Sequence, residues 1–155
     1  MKTPHFWAGV MYVLGGLCGV ALFLPQFRIQ IWDNAQVEHL YLWGGHQRVQ
    51  ATVASSIYVI AALWGVAAVA ALIWAGNRLR RQERQAIAWM NWAAFFIAME
   101  LSFLLVAAEE VLTDLRVAAL HADSLASFGS WTSFIVLFLL LFLPGRIKKI
   151  LFSPK

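Results

Sequence analysis

Apolar positions run almost unbroken over four stretches of this chain, and charged positions gather between them. The stretches cover about 6–24, 52–75, 86–108 and 128–143. Each is near the roughly 20 residues that a helix needs to cross the hydrocarbon core of a bilayer. Lipid offers no partner to a backbone N–H or C=O, so a spanning segment closes its hydrogen bonds internally as helix. The dyad alternation of a membrane barrel is absent. The pattern predicts an all-α polytopic membrane protein: a four-transmembrane-helix antiparallel bundle, forming a single integral membrane domain over 1–155.

The segments between the spans are short. The longest, about 25–51, contains QFRIQIWDNAQVEHLYLWGGHQRVQ. Ile29, Trp32, Leu40 and Trp43 mix there with polar residues, and Gly44 and Gly45 break the pattern. This predicts a short amphipathic or re-entrant piece at the interface, with Trp32, Tyr41 and Trp43 in the aromatic belt. A helical rhythm through Val111, Leu115, Ala118 and Ala122 predicts that the third span continues outward to about Ala122. Residues 124–129 then turn the chain into the fourth span. The loop at 76–85 is short enough to make spans 2 and 3 an antiparallel hairpin.

Composition strengthens the membrane reading. The 155 residues are 61% hydrophobic and 13% charged, with mean hydropathy +0.69. A soluble domain is about half apolar and a quarter charged. The net charge of +4 and pI near 9.6 raise the question of nucleic acid, but the basic residues flank the spans. Lys2 precedes span 1, Arg78, Arg80, Arg81 and Arg84 separate spans 2 and 3, and Arg146, Lys148, Lys149 and Lys155 follow span 4. The positive-inside rule then places both termini and the Arg loop in the cytoplasm of an inner membrane. No nucleic-acid partner is implied; membrane lipids are the expected contacts. The opposite side carries Asp33, Glu38, Glu109, Glu110, Asp114 and Asp123, with His39, His46 and His121. Span 1 reads as an uncleaved signal anchor, since no small-x-small site follows it. Cys18 is the single cysteine, so no intrachain disulfide forms.

Candidate packing faces come next. Gly15 and Gly19 in span 1, and Ala61 and Gly65 in span 2, sit at helical spacing and let backbones approach closely in lipid. Span 4, with FIVLFLLLFLP, faces lipid or a broad apolar partner.

Glu100 is the sharpest chemical feature, because it is the one charged residue inside a span. An ionised carboxylate there costs several kcal/mol unless it is paired, hydrated or protonated. Its own helical face holds Trp89, Ala93, Phe96, Leu104 and Ala107, so any partner comes from another helix. Cys18, Ser55, Ser56, Tyr58, Thr132 and Ser133 lie at similar depth and are expected to share one polar layer with it. The layer reads either as a proton- or cation-binding site or as a hydrogen-bonded packing element. Glu109 and Glu110 point about 100° apart and read as a solvated helix end. His39, His46, His121, Glu110 and Asp114 have the donor types of a metal site, but no HxH or HxxxH spacing joins them.

GxSxG, CxxC and P-loop signatures are missing, and no cofactor is implied by motif. In size, span number and orientation the chain resembles the small permease subunit of TRAP transporters. That resemblance is architectural and shares no motif, so no family follows from it. The leading expectation is a small non-catalytic subunit of a larger inner-membrane complex, respiratory, photosynthetic or transport, packed against other integral membrane subunits. Two alternatives stand beside it. One is a proton- or cation-coupled transporter using Glu100. The other is a membrane enzyme or metal-handling protein using the outer His and acidic residues.

Overall fold

The computed structural model describes residues 3–33, 36–42, 52–117 and 121–152, and gives only the backbone at 36, 38 and 52–55. Four helices dominate it: α1 (Pro4–Ala21), α2 (Thr52–Arg80), α3 (Gln85–Val117) and α4 (Phe128–Leu151). They account for 77% of the structure, so the all-α expectation holds for its bulk. Three strands complete it: β1 (Phe27–Ile31), β2 (Gln36–Leu40) and β3 (Ala122–Ala126). Two helical stretches, Pro4–Ala21 and Ser56–Arg80, are long and apolar enough to cross a membrane by length and composition.

The helices pack in chain order, with α1 against α2, α2 against α3 and α3 against α4, and α4 returns to α1 to close the bundle. Local chemistry sets their ends. Thr3 is extended and Pro4 opens α1; proline suits the first helical position because its missing N–H would be unsatisfied there anyway. At the same end of the bundle, α2 stops in a Schellman motif. The Gln82 N–H donates to the Leu79 carbonyl and the Glu83 N–H to the Arg78 carbonyl, both at 3.0 Å. Gln82 takes the left-handed conformation this motif requires, with φ 56°. An Arg78–Glu83 ion pair spans the turn, and the Arg78 guanidinium sits 5.8 Å from the Trp74 ring centre.

The core divides into two clusters stacked along the bundle. The cluster toward the α2–α3 turn includes Met11, Leu14, Leu72, Leu79, Met90, Ile97, Leu140 and Ile147. The cluster at the opposite end includes Leu22, Phe27, Ile29, Leu40, Tyr58, Ala61, Leu104, Val111 and Leu115.

The second cluster is capped by the sheet, which corrects three sequence-based expectations. The 25–51 segment, expected to be a short amphipathic or re-entrant piece, contributes strands β1 and β2, and β1 is amphipathic as a strand. The third span was expected to run to about Ala122; α3 ends at Val117 and Ala122 begins β3. The expected turn at 124–129 is strand through Ala126, with α4 starting at Phe128. The strand order is β2-β1-β3, all antiparallel. The physical reason lies in FRIQI: Phe27, Ile29 and Ile31 are buried while Arg28 is exposed, the period-two pattern of a half-buried strand. β1 therefore templates both neighbours, pairing Phe27 with Leu40 on one side and with Ala126 on the other. The two linkers at this end thus form one body. Trp43, Gly44 and Gly45 lie outside the described residues.

Candidate functional site

Glu100 sits where the two core clusters meet, and it is 2% exposed. Its α3 neighbours Ala93, Ile97, Leu104 and Ala107 are fully buried, so the carboxyl points into the bundle. Gly65 of α2 lies opposite. A Cβ placed at Gly65 would stand 3.2 Å from the Glu100 Cδ and 3.3 Å from its Oε1, and would collide with Leu22 Cδ2. The missing side chain at 65 is therefore what admits both the carboxyl and the end of α1. Cys18 of α1, also buried, is within electrostatic reach of Glu100. Glu100 Oε1 has no hydrogen-bond partner among the described residues.

Tyr58 and Glu110 form a second pairing, nearer the sheet. They lie within electrostatic reach of each other. The Tyr58 hydroxyl and Glu110 Oε2 are both buried and without a partner among the described residues. Tyr58 is seven residues, about 10 Å, along α2 from Gly65 and on nearly the same face.

The expected single polar layer is thus only partly assembled. Cys18 lies within electrostatic reach of Glu100, and Tyr58 within that of Glu110. Ser56 is exposed, and the side chain of Ser55 lies outside the described set. Thr132 bonds back to the Phe128 carbonyl at 2.7 Å, and Ser133 is buried in α4. Of the packing residues, a Cβ at Gly15 would stand 3.5 Å from Leu72 Cβ, while nothing lies within 4 Å of a Cβ at Gly19. Ala61 is fully buried.

The metal-type residues are spread out. His39 is exposed on β2 and Asp114 is exposed on α3. His46 lies outside the described residues. Glu109 is exposed and pairs with Arg116 at 3.3 Å. Among the described residues, no three His, Cys, Asp or Glu gather to hold a metal ion. His121 has a structural partner: Asp33 accepts its backbone N–H at 2.6 Å and faces its Nδ1 at 3.3 Å. These two contacts hold the Asp33 carboxyl below its usual range, the backbone bond contributing most. Trp32 adds two bonds, donating its N–H to the His121 carbonyl at 2.8 Å and its Nε1–H to Asp123 at 3.0 Å. Together they lock the β1–β2 connection to the start of β3.

Sequence reasoning missed Gln26. It is fully buried where α1, the sheet and α4 converge. Its Nε2 donates to the Ala21 carbonyl at 2.6 Å and the Leu24 carbonyl at 3.2 Å, a second donor to Ala21 at the C-terminus of α1 beside the Leu24 N–H at 3.1 Å. Its own carbonyl accepts from Ser130 Oγ at 2.6 Å and from the Ser127 N–H at 2.9 Å. Its N–H donates to Leu40 at 2.7 Å. A glutamine between a span and a strand has no periodic signature; the available hint was its neighbour Pro25, which ends a helix.

The arrangement offers one deeply buried carboxyl for proton or cation chemistry, and one rigid cap outside the bundle. The chain matches no protein family, no curated protein and no solved structure.

Proposed function

We propose that this chain is a four-span inner-membrane protein with both termini cytoplasmic, acting as a small non-catalytic subunit that packs against partner helices. The observation behind the reading is the belt of large apolar side chains left exposed on every helix. Val13 and Val20 on α1, Leu63 and Val66 on α2, Trp92, Phe95, Leu105 and Val106 on α3, and Ile135, Phe138, Leu141 and Phe142 on α4 are all exposed. Contiguous apolar surface on that scale mark a lipid or protein contact. α3 and α4 carry it as fully as α1 and α2, which favours four spans. The basic residues Arg80, Arg81, Arg84, Arg146, Lys148 and Lys149 are exposed and collect at the end away from the sheet, the pattern of a cytoplasmic face. Trp64, Trp92, Phe95 and Phe96 form one cluster of rings with centres 5.6–6.0 Å apart, a broad surface for a neighbouring helix.

The test is a photo-crosslinking residue placed at Phe95 or Phe138 in cells, followed by native electrophoresis in mild detergent. The reading expects one defined partner chain crosslinked at either face. A monodisperse homo-oligomer with no other chain would overturn it.

A second reading rests on Glu100: a proton- or cation-coupled carrier with this carboxyl as the coupling acid. Its support is the buried oxygen without a partner among the described residues. Glu100→Gln should then abolish pH-dependent flux in liposomes while the fold survives, and unchanged flux removes Glu100 from the mechanism.

A further inference from the structure

We propose that Glu100 is a proton-binding site in exchange with the outer, sheet-bearing side of the membrane and sealed from the cytoplasmic side. The inference builds on the four-span reading and on Glu100 as a functional acid, and adds which ligand it takes and from where.

The ligand follows from donor count. A hard cation takes six or more oxygen ligands in a shell of carboxylates, carbonyls and water. Glu100 offers one carboxyl, with a glycine and a leucine opposite it and a thiol within electrostatic reach. That set suits a proton and is too poor in oxygen for a metal ion.

The direction follows from what lies along the bundle on either side. From Glu100 to Ala86, toward the Arg loop, is fourteen residues, about 20 Å of helix. Across that length the core is dominated by Met11, Leu14, Leu72, Leu79, Met90 and Leu140, each at most 4% exposed. The polar side chains that reach it there among the described residues are Trp7 and Tyr12, both toward the Arg loop, where the Tyr12 hydroxyl bonds Asn77. Toward the sheet, Glu110 is ten residues away, about 15 Å. The other two buried polar side-chain atoms on α2 and α3 without partners among the described residues, at Tyr58 and Glu110, lie on this side. Between them and Glu100 the facing residues include Ala61, Ala62 and Gly65 on α2 and Ala107 and Ala108 on α3, with Leu22 and Leu104 the large side chains among them. A file of transient water has the Tyr58 hydroxyl and the Glu110 carboxyl to bond on this side; the other half also holds small residues, Ala68, Ala71, Ala75 and Ala93, but its polar side chains, Trp7 and Tyr12, stand toward the Arg loop.

The groups around Glu100 are few. α1 presents Cys18; α2 presents Gly65, with Tyr58 two turns outward; α3 adds Glu110. The buried polar residues of α4 are the hydroxyls Ser130 and Ser133. A change in proton occupancy at this depth is therefore assigned to Glu100, with Cys18 the one nearby thiol to control for.

The experiment uses the full chain reconstituted in liposomes with internal and external pH set separately. Sidedness is established first, by impermeant labelling of Lys148 and of a cysteine at His121 in a Cys18→Ser background. These positions flank the apolar run of α4, so labelling of both from one side overturns the four-span reading whatever Glu100 does. Infrared difference spectra then follow the protonated-carboxyl band that Glu100→Gln removes. The expected result is a band that disappears when pH is raised on the His121 side and ignores pH on the Lys148 side. Tyr58→Phe together with Glu110→Gln should slow that response several-fold without moving the band. A band that follows the Lys148 side, or that ignores pH on both sides, overturns the proposal.

Discussion

Gln26 and Gly129 offer the most direct test of the junction between bundle and sheet. Replacing Gln26 by Leu keeps the volume and removes the donor that serves the Ala21 and Leu24 carbonyls. The Ala21 carbonyl keeps the Leu24 N–H at 3.1 Å, so the loss there is one hydrogen bond, about 0.5–1.5 kcal/mol. Adding the part-buried Leu24 carbonyl, left without this donor, gives about 1–3 kcal/mol. For a chain of this size 1 kcal/mol moves Tm by about 2–4 °C, so the loss should be about 2–12 °C. Gly129→Ala attacks the same place from α4. Its Cβ would collide with Gln26 Nε2 and stand 2.6 Å from Cδ and 2.7 Å from Oε1, an overpacking cost of about 1–3 kcal/mol. In a Gln26→Ala background the obstacle is gone. There the same substitution should cost nothing, or stabilise by about 0.5–1 kcal/mol as alanine replaces a helical glycine. Thermal unfolding in detergent, followed by the emission of the eight tryptophans, closes the double-mutant cycle. Effects that add to within about 0.5 kcal/mol would refute the placement of the Gln26 side chain against α4.

Three further outcomes follow. Gly65→Ala should lower stability by about 1–3 kcal/mol by overpacking, and Leu22→Ala in the same chain should recover part of it, since Leu22 is what the new Cβ strikes; no recovery would place the strain elsewhere. Gln82→Gly should raise Tm by about 2–4 °C, because a β-carbon in the left-handed region costs about 1–2 kcal/mol, and an unchanged Tm would contradict the φ of 56°. Asp33 is held below its usual carboxylate range by His121, so its stabilisation is full above that range and disappears as pH falls through the lowered value. Hydrogen exchange at the His121 amide should therefore accelerate in acid in the wild-type chain, and Asp33→Asn should show fast exchange at every pH; an unaltered profile in Asp33→Asn would exclude the pair.

The helices were readable because apolar runs report burial in lipid or core directly. Positions 52 and 128 mark the observed starts of α2 and α4. The far ends of α2 and α4 were underestimated because both helices carry basic residues past their apolar runs, Arg78 and Arg80 in one and Lys148 and Lys149 in the other; that of α3 was overestimated, because Ala122 pairs into the sheet. The sheet was harder to read. β1 alternates visibly, but ADSLA in β3 has no strand signature and is a strand because β1 pairs with it from about ninety residues away in sequence. The facing of Gly65 and Glu100 was readable in principle. Gly65 stands seventeen residues before Gln82, and Glu100 seventeen after Glu83. In an antiparallel hairpin turning at Gln82 and Glu83 such residues lie at one height, so reflection about the turn would have found the pair.

That pair also separates packing from function. If the Glu100 carboxyl serves only to hold α1, α2 and α3 together, removing it must destabilise the chain. If it is a site kept at the expense of packing, an apolar residue of similar length must stabilise it, since burying a polar group without a partner costs about 1–3 kcal/mol. Glu100→Met has that length and a flexible thioether that adapts to the notch opposite Gly65. The second case applies on the geometry here, with Oε1 unpartnered among the described residues, so Glu100→Met should raise Tm by several degrees while erasing the pH response of the carboxyl band. Sites retained for activity show this trade of stability for function. A fall in Tm would mean that the carboxyl is bonded within the bundle, and would return Glu100 to the packing core.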